Sequence, residues 1–195
     1  MRLSTLPINI SVKRLHFRKR GLLKFFQETP ALRLIVGLGS NLGHSGELVQ
    51  AGWARAIDVL ALQRPQLSDL IVSSPAESAH GDDFINAVGL GWTHLQPIEI
   101  LRHLQSIERE FGRDRAAEGF HGARTLDLDL IDLGALVVQS PALTLPHPRM
   151  HLREFVLQPL QQIAPDFVHP RSGFTLTAMI SLLSCNANVA QHSDI

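Results

Sequence analysis

The stretch Arg124-Thr-Leu-Asp-Leu-Asp-Leu-Ile131 alternates apolar and polar side chains over most of its length. Such alternation predicts a β-strand with one buried face, because successive side chains of a strand point to opposite faces of a sheet. Asp127 and Asp129 then lie side by side on one face, while the leucines that separate and flank them face a core. This segment is also the last strand of the pattern that decides the fold.

The segments around this strand alternate between strand and helix patterns. The predicted elements are a strand at 34–38, a helix at 46–62 ended by Pro65, strands at 67–74 and 84–93, a helix at about 96–111 stopped by Gly112, and a short third helix at 152–163. Up to the strand at 124–131 the order is β-α-β-β-α-β, which is the split βαβ arrangement. We therefore predict an α+β, ferredoxin-like sandwich, in which helices cover a small sheet that contains antiparallel strands.

Three local features carry their own predictions. Gly89 and Gly91 in the third strand indicate a bulge. Ser40 or Asn41 is expected to cap the first helix, because short polar side chains accept hydrogen bonds from the free amides there. Asp132 has the opposite parity to the two strand carboxylates, so we expect it in a turn.

The charge distribution separates residues 1–33 from the rest of the chain. Residues 1–33 hold eight basic side chains and one acid; removing these from the totals of 18 and 18 leaves 10 basic and 17 acidic groups, a net charge of −7 for the rest. A length of 195 residues fits one domain with terminal extensions. We predict a basic N-terminal extension at 1–33, one folded domain at 34–180 and a C-terminal tail at 181–195.

The N-terminal extension has three interpretations. It lacks a clean hydrophobic period, which favours a disordered tail or a start codon assigned too early. Its basic cluster followed by Leu22, Leu23, Phe25 and Phe26 also fits a basic amphipathic segment that contacts a membrane or an anionic partner. The third interpretation is a targeting peptide, although the segment has few serines and no long apolar stretch.

Composition excludes several functional classes. The acidic body is a poor partner for nucleic acid, so none is expected. No apolar run approaches the roughly 18 residues that span a membrane. Cys185 is the only cysteine, which rules out an intramolecular disulfide and argues against a thiolate metal cluster. These features fit a reducing compartment, and we expect a cytoplasmic protein.

The paired carboxylates point to a metal site. Aspartate is disfavoured inside strands, and two adjacent carboxylates repel each other unless they share a cation or a proton. Oxygen-only ligation suits Mg²⁺, which typically takes one or two carboxylates together with phosphates and waters. The alternative is a solvated strand face with no bound ion.

Arginines precede the carboxylate pair. Arg113, Arg115 and Arg124 lie just upstream, and guanidinium groups bind phosphate through two parallel hydrogen bonds. A metal that neutralises charge and arginines that clamp phosphates are the requirements of phosphoryl transfer. Surface salt bridges are the alternative for each arginine, with these acidic partners: Glu108, Glu110, Asp114 and Glu118.

Two further motifs are less informative. The glycine-rich turn at 37–43 lacks both the Gly-Lys-Ser/Thr ending of a P-loop and the dinucleotide-binding spacing. His147 and His151 are four residues apart, but Pro146 and Pro148 flank His147 and argue against a helical metal pair. A contact between His147 and ATP or phosphate fits better.

Several motifs occur in an order that resembles a known family. They are Gly-Leu-Gly-Ser-Asn-Leu-Gly at 37–43, Phe-Ile-Asn-Ala-Val at 84–88, Ile107-Glu108 with Gly112-Arg113, Arg-Thr-Leu-Asp-Leu-Asp at 124–129, and Leu-Pro-His at 145–147 with Arg-x-Phe-Val-Leu-x-Pro-Leu at 153–160. Over about residues 34–170 the chain resembles 6-hydroxymethyl-7,8-dihydropterin pyrophosphokinase. The resemblance implies an ATP-dependent diphosphokinase of folate biosynthesis that uses ATP and a reduced pterin and releases AMP.

The resemblance also implies roles for individual residues. The catalytic set would be Arg113, Arg124, Asp127 and Asp129, with two Mg²⁺ ions on the aspartates. ATP would be bound by Arg113, Arg124, His147 and Arg153. The pterin would contact Phe84, Asn86 and Phe155, with Asn86 hydrogen bonding and Phe155 stacking. A monomer or weak homodimer is expected.

Two loops depart from the family pattern. The segment at 75–83 is several residues shorter and lacks the usual aromatic and threonine positions. His121-Gly-Ala-Arg124 stands where the family has an aromatic-Gly-Pro-Arg run, with Phe120 displaced by one residue. Loops of this kind close over substrates and exclude water. A non-catalytic or reassigned relative that binds a pterin or a nucleotide therefore remains the alternative.

Overall fold

The computed structural model describes residues 30–74, 82–113 and 124–192, with side chains described as far as residue 185. Most of the N-terminal extension and most of the loop at 75–83 lie outside these residues. So do Arg115 and Phe120. The predictions made for those segments are therefore not examined by the structure.

An antiparallel sheet forms the middle layer of the domain. Its strands are β1 (Leu32–Ser40), β2 (Gln63–Leu67), β3 (Ile71–Ser73), β4 (Phe84–Thr93) and β5 (Asp127–Leu133). The central strand β1 pairs with β4 on one side and β5 on the other, and both β2 and β3 pair with the outer edge of β4. Two short strands, β6 (Val138–Gln139) and β7 (Thr144–Leu145), form a separate hairpin.

Helices cover both faces of the sheet. The first two are α1 (Ser45–Val59) and α2 (Pro97–Glu110); a 3-10 turn at Met150–Leu152 precedes α3 (Glu154–Ile163) and α4 (Leu176–His192). One apolar core includes Leu34 and Val36 of β1 under α1 and α2, and the other includes Ile35 of β1 under α3. Residues of β1 thus alternate between two cores, as strand geometry requires. The predicted α+β fold is confirmed. No helix in the described ranges is long and apolar enough to cross a membrane.

The strand that carries the carboxylates is oriented as predicted. Leu126, Leu128 and Leu130 are buried in the core beneath α1 and α2. Asp127 and Asp129 are only partly buried and lie on the opposite face of β5. The strand itself runs from Asp127 to Leu133, so Arg124 precedes it.

The predicted strand at 67–74 is wrong in its bounds. The chain forms two short edge strands, β2 and β3, and Pro65 lies inside β2 instead of ending the first helix. The helix ends earlier, at Val59, and the chain turns through Ala61 at a φ of 48°. A proline is tolerated in β2 because an edge strand leaves some of its N–H groups unpaired.

The predicted bulge in β4 is also wrong. The register of β1 with β4 is continuous, and the irregularity lies in β2, between Gln63 and Gln66. Gly89 serves a packing purpose instead, because a Cβ there would lie 2.5 Å from the ring of Trp53 in α1. A missing side chain in β4 therefore admits the largest side chain of α1.

Three polar residues do not take the positions predicted from the sequence. Helix α1 begins at Ser45 after His44, and neither Ser40 nor Asn41 caps it. Asp132 lies inside β5, opposite Ile35, and is 1% exposed. A register shift places Ile35 opposite Asp132 and Val36 opposite Leu130, so β5 has one extra residue, Ile131, at this point. The side chains beyond it no longer follow the alternation seen at Asp127 and Asp129, so the prediction of a turn, which assumed that alternation, is wrong.

Helix α4 crosses the predicted C-terminal boundary of the domain. The division predicted between residues 180 and 181 falls inside α4, which continues to His192. The first half of α4 contributes Leu176 and Met179 to the core under α3. Part of the segment assigned to a tail is thus continuous with the folded domain.

Candidate functional site

The site lies where β1, β4 and β5 meet, on the face that also carries α3. Asn86 of β4 and Asp127 of β5 are both paired with Gly39 of β1. A Cβ on Gly39 would lie 3.0 Å from Oδ1 of Asn86, and one on Gly37 would lie 3.7 Å from Cβ of Asp129. The two glycines therefore place no side-chain atoms between the amide of Asn86 and the carboxylates. We call this backbone surface of β1, at Gly37 and Gly39, the glycine floor.

Two arginines hold Asp127. Its Oδ1 accepts a hydrogen bond from Arg113, and its Oδ2 accepts one from Nη1 of Arg124 at 2.6 Å. Burial acts to raise the pKa of Asp127, but the charges of Arg124 and Arg113 outweigh it and hold this pKa below its ordinary value. Asp127 is consequently a carboxylate at neutral pH and can act as an oxygen ligand.

A buried glutamate supports Arg113. Glu108 of α2 is 1% exposed and accepts hydrogen bonds from Arg113 and, at 2.9 Å, from the amide of Leu128. The ion pair of Arg113 with Glu108 that was considered as an alternative is present, but it is buried and ties α2 to β5 inside the domain. A signal existed in the sequence: Glu108 follows Leu104 by four residues, so it occupies the apolar stripe of the helix.

Asp129 has its own cationic neighbours. Nη1 of Arg153 donates to its Oδ2 at 2.6 Å, and Nε2 of His147 lies 3.9 Å from the same oxygen. The guanidinium of Arg153 also lies 5.6 Å from the centre of the Phe155 ring. Arg153 thus connects the carboxylate pair to an aromatic residue in the first turn of α3.

The surroundings of His147 favour its neutral form, because they lower its pKa. Burial lowers its pKa, the charge of Asp129 acts to raise it, and the charges of Arg153 and Arg149 lower it further. The net direction is downward, away from the ordinary value near 6.5. Its Nδ1 accepts a hydrogen bond from the amide of Arg149 at 3.2 Å, so the ring proton resides on Nε2, the nitrogen facing Asp129.

The other side of the glycine floor carries an oriented amide. Nδ2 of Asn86 donates to Oγ of Ser73 at 2.8 Å and to the carbonyl of Phe84 at 3.5 Å. This leaves Oδ1 of Asn86 beside Gly39, as an acceptor facing the floor. Phe84 and Phe155 are both partly buried, and Phe84 precedes Asn86 by two residues on β4. Ser73 was not among the residues singled out from the sequence.

The structure brings the sequence-predicted residues into two adjacent clusters. One contains Arg113, Arg124 and Asp127; the other contains Asp129, His147 and Arg153. Arg124 pairs with Asp127 and Arg113 pairs with both Asp127 and the buried Glu108, whereas Arg115 lies outside the described residues. His147 and His151 do not form a pair; the ring of His151 instead meets that of His169 edge to face, at 6.1 Å.

The available donor atoms fit an open magnesium site better than a site in which the protein supplies every ligand. Within the ranges that the structure describes, no group of three or more His, Cys, Asp or Glu side chains could hold a metal ion. A cation held by Asp127 and Asp129 would take only carboxylate oxygens from the protein and would need phosphates and water as further ligands. That division of ligands is the usual one for Mg²⁺ in nucleotide-dependent enzymes.

Residues 35–165 match the family model described as 7,8-dihydro-6-hydroxymethylpterin-pyrophosphokinase (HPPK). Two relatives are named 2-amino-4-hydroxy-6-hydroxymethyldihydropteridine pyrophosphokinase. The one from Synechocystis sp. is 40% identical over 153 residues, which cover 78% of this chain and 77% of the relative. The one from Haemophilus influenzae is 39% identical over 137 residues, which cover 70% and 84%.

Longer proteins share part of the match. The folic acid synthesis protein fol1 of Schizosaccharomyces pombe is 32% identical, and the aligned region covers 84% of this chain but 22% of that protein. A solved HPPK-DHPS in complex with substrates aligns at a TM-score of 0.58 and 10% identity, covering 85% of this chain. The aligned region spans 45% of that chain, so the likeness concerns part of it, and it concerns the fold alone.

Proposed function

This chain belongs to the 7,8-dihydro-6-hydroxymethylpterin-pyrophosphokinase (HPPK) family, and we propose from that membership that it transfers pyrophosphate from ATP to 6-hydroxymethyl-7,8-dihydropterin. The products are the pterin diphosphate and AMP, and the reaction belongs to folate biosynthesis. One observation carries the proposal at the level of the site: Asp127 and Asp129 face the same way on β5, and arginines from other segments contact both of them.

The proposed reaction needs charge neutralisation and positioning. The pterin hydroxyl oxygen forms a bond to the β-phosphorus of ATP, and the bond from that phosphorus to the oxygen bridging to the α-phosphorus breaks. AMP leaves with that oxygen, and the hydroxyl proton passes to solvent water. Because charge spreads over the phosphate oxygens during transfer, fixed cations that meet this charge lower the barrier.

The residues on β5 would hold the metal. Asp127 and Asp129 would bind Mg²⁺, two ions in our proposal, and the metal would supply further neutralisation of the polyphosphate. Arg113 and Arg124 contact Asp127 directly, so a polyphosphate chain bound beside this carboxylate comes within their reach. Glu108 keeps Arg113 aligned through its own hydrogen bond.

The two substrates would lie on either side of the carboxylates. His147 and Arg153, which adjoin Asp129, would contact the nucleotide and its phosphates. Asn86 would offer Oδ1 to a donor on the pterin ring across the glycine floor, while Phe84 and Phe155 would supply apolar contact. A hydroxymethyl group held above Gly39 would then face the metal-bound phosphate chain.

A second candidate follows from the short segment at 75–83, which lacks the usual aromatic and threonine positions of the family. The chain would then bind a pterin or a nucleotide without turnover.

The cytoplasmic location and the monomeric or weakly dimeric state also remain predictions.

One assay separates the two candidates. Full-length protein is mixed with ATP, Mg²⁺ and 6-hydroxymethyl-7,8-dihydropterin, and AMP and the pterin diphosphate are quantified by chromatography. The proposal predicts equal amounts of both products, no AMP without the pterin, and loss of both with excess EDTA. Binding of the pterin without AMP formation would support the non-catalytic candidate instead.

A further inference from the structure

Asn41 makes an unusual set of contacts for a residue in a turn. It is the first residue after β1 and is 5% exposed. Its backbone amide donates to the carbonyl of Arg124 at 3.1 Å, and its side-chain Oδ1 accepts from the amide of Arg124 at 2.7 Å. The main chain of Arg124 is therefore held at both its N–H and its C=O by one residue.

These contacts matter because Arg124 lies outside the sheet. Strand β5 begins at Asp127, which is also where its pairing with Gly39 begins. The contacts to Asn41 take the place of ladder hydrogen bonds for Arg124, whose guanidinium reaches Oδ2 of Asp127 at 2.6 Å. The position of that guanidinium over the carboxylate thus depends on where Asn41 holds the backbone.

The same side chain also contacts the segment that leads into β4. Nδ2 of Asn41 donates to the carbonyl of Asp82 at 3.4 Å. Two residues later β4 begins with Phe84, and Asn86 follows on the same face. The side-chain amide of Asn41 therefore links the segment that leads into β5 to the segment that leads into β4 and Asn86.

We propose that Asn41 is a positioning residue, which acts through Arg124 and sets the geometry between the phosphate-contacting arginine and the opposite side of the site. This inference rests on the proposed function for its catalytic consequence. The chemistry requires an amide, because the side chain must accept from an N–H and donate to a C=O at the same time. Alanine can do neither, and aspartate at neutral pH can only accept.

The domain offers a matched control at the opposite end of β4. Thr93 is 1% exposed, its Oγ1 donates to the carbonyl of Leu60 at 2.9 Å, and it accepts from the amide of Leu95 at 3.2 Å. Thr93→Ala therefore also removes a buried side chain that both donates and accepts. Among the described residues, the hydrogen bonds of the Thr93 side chain go to Leu60 and Leu95 and not to the site, so the variant measures the structural effect of losing such a side chain.

The test is a double-mutant cycle on kcat/KM for AMP formation. Asn41→Ala is expected to lower kcat/KM about 10-fold, and by less than about 2-fold once Arg124→Ala is already present, because residues that act through one another are not additive. Thr93→Ala is expected to lower the melting temperature but to keep kcat/KM within about 2-fold. Asn41→Asp, which retains the acceptor for Arg124, is expected to lose less than Asn41→Ala.

A binding measurement keeps this inference separate from the proposed function. Calorimetry with α,β-methylene ATP and Mg²⁺ gives Kd for the same variants without turnover, and the same non-additivity is expected there. A wild-type protein that binds this analogue but makes no AMP would contradict the proposed function alone. The positioning role is overturned if Asn41→Ala and Arg124→Ala are additive in Kd, if Asn41→Ala behaves like Thr93→Ala, or if the wild type does not bind the analogue.

Discussion

Arg153 places Nη1 2.6 Å from Oδ2 of Asp129, and this ion pair joins the residue before α3 to the strand that carries both carboxylates. Asp127 is matched in the same way by Arg113 and Arg124. The negative charge of each carboxylate is therefore neutralised by arginines that lie outside β5. The repulsion expected for two neighbouring aspartates on a strand is offset within the protein itself.

Asp129→Asn should abolish most turnover while the fold is retained. The amide has nearly the same shape but no charge, so a cation ligand and the partner of Arg153 are lost together. We expect kcat/KM to fall by about 100-fold or more, measured as AMP formation. Asp166→Asn is the matched control, because Asp166 pairs with Arg33 at 3.0 Å far from the site and is largely exposed. Near-normal AMP formation by Asp129→Asn would remove Asp129 from the metal site.

Arg124→Lys should impair catalysis although the charge is kept. A lysine ammonium cannot present the planar fork with which a guanidinium meets a carboxylate or a phosphate. We expect a loss in kcat/KM of about 10-fold, or about 1.4 kcal/mol of transition-state stabilisation. Arg55→Lys provides the comparison, because Arg55 contacts Glu110 with both Nε and Nη2 on the surface. Equal losses in the two variants would mean that Arg124 has no specific role.

Regular alternation made part of this site predictable. The period of two in β5 correctly separated Asp127 and Asp129 from the leucines of the core. Gly112, predicted as the end of α2, adopts a φ of +86°, which only glycine reaches without strain. These features depend on neighbours along the chain, and they need no knowledge of which segments meet.

The features that were missed depend on contacts between distant segments. Glu108 is buried because Arg113 and the amide of Leu128 satisfy it, and neither partner follows from helical spacing. Asp132 changes face because of a register shift against β1. Asn41 looked like a helix cap, but the backbone of Arg124, 83 residues later, occupies its side chain. A pattern within one element does not contain this information.

Glu108→Gln should destabilise the domain and also reduce activity. The neutral amide keeps an acceptor for Leu128 but deprives the buried guanidinium of Arg113 of one of its anionic partners. We expect a loss of about 1–3 kcal/mol in the free energy of unfolding, measured by urea denaturation. Glu110→Gln, on the same helix but exposed, should leave the unfolding curve unchanged. A variant at Glu108 as stable as the wild type would show that this contact is energetically neutral.

The last prediction concerns the dependence of stability on pH that Asp132 introduces. Its Oδ2 accepts from the amide of Ala135 at 3.2 Å, and its Oδ1 is buried with no partner among the described residues. Burial raises the pKa of Asp132 above its ordinary value, and the Ala135 hydrogen bond and the charge of Arg33 oppose this only in part.

The sign of the effect follows from the direction of that shift. Between the unfolded pKa, about 3.9, and the higher folded pKa, the native state binds more protons than the unfolded state. The stability contributed by Asp132 is therefore complete below about pH 4 and is lost as the pH rises through the folded pKa. Asp127, whose pKa is lowered, contributes in the opposite sense and at lower pH, where its carboxylate becomes protonated.

Asp132→Asn isolates this contribution, because asparagine can still accept the hydrogen bond from Ala135 but cannot ionise. We expect the free energy of unfolding of the wild type to fall relative to the variant as the pH rises above about 4, measured by urea denaturation at several pH values. Asp58→Asn, at an exposed position of α1, should show no such divergence from the wild type. A wild-type curve that runs parallel to that of Asp132→Asn, or rises relative to it, would show that the buried carboxyl carries no linked proton in this range.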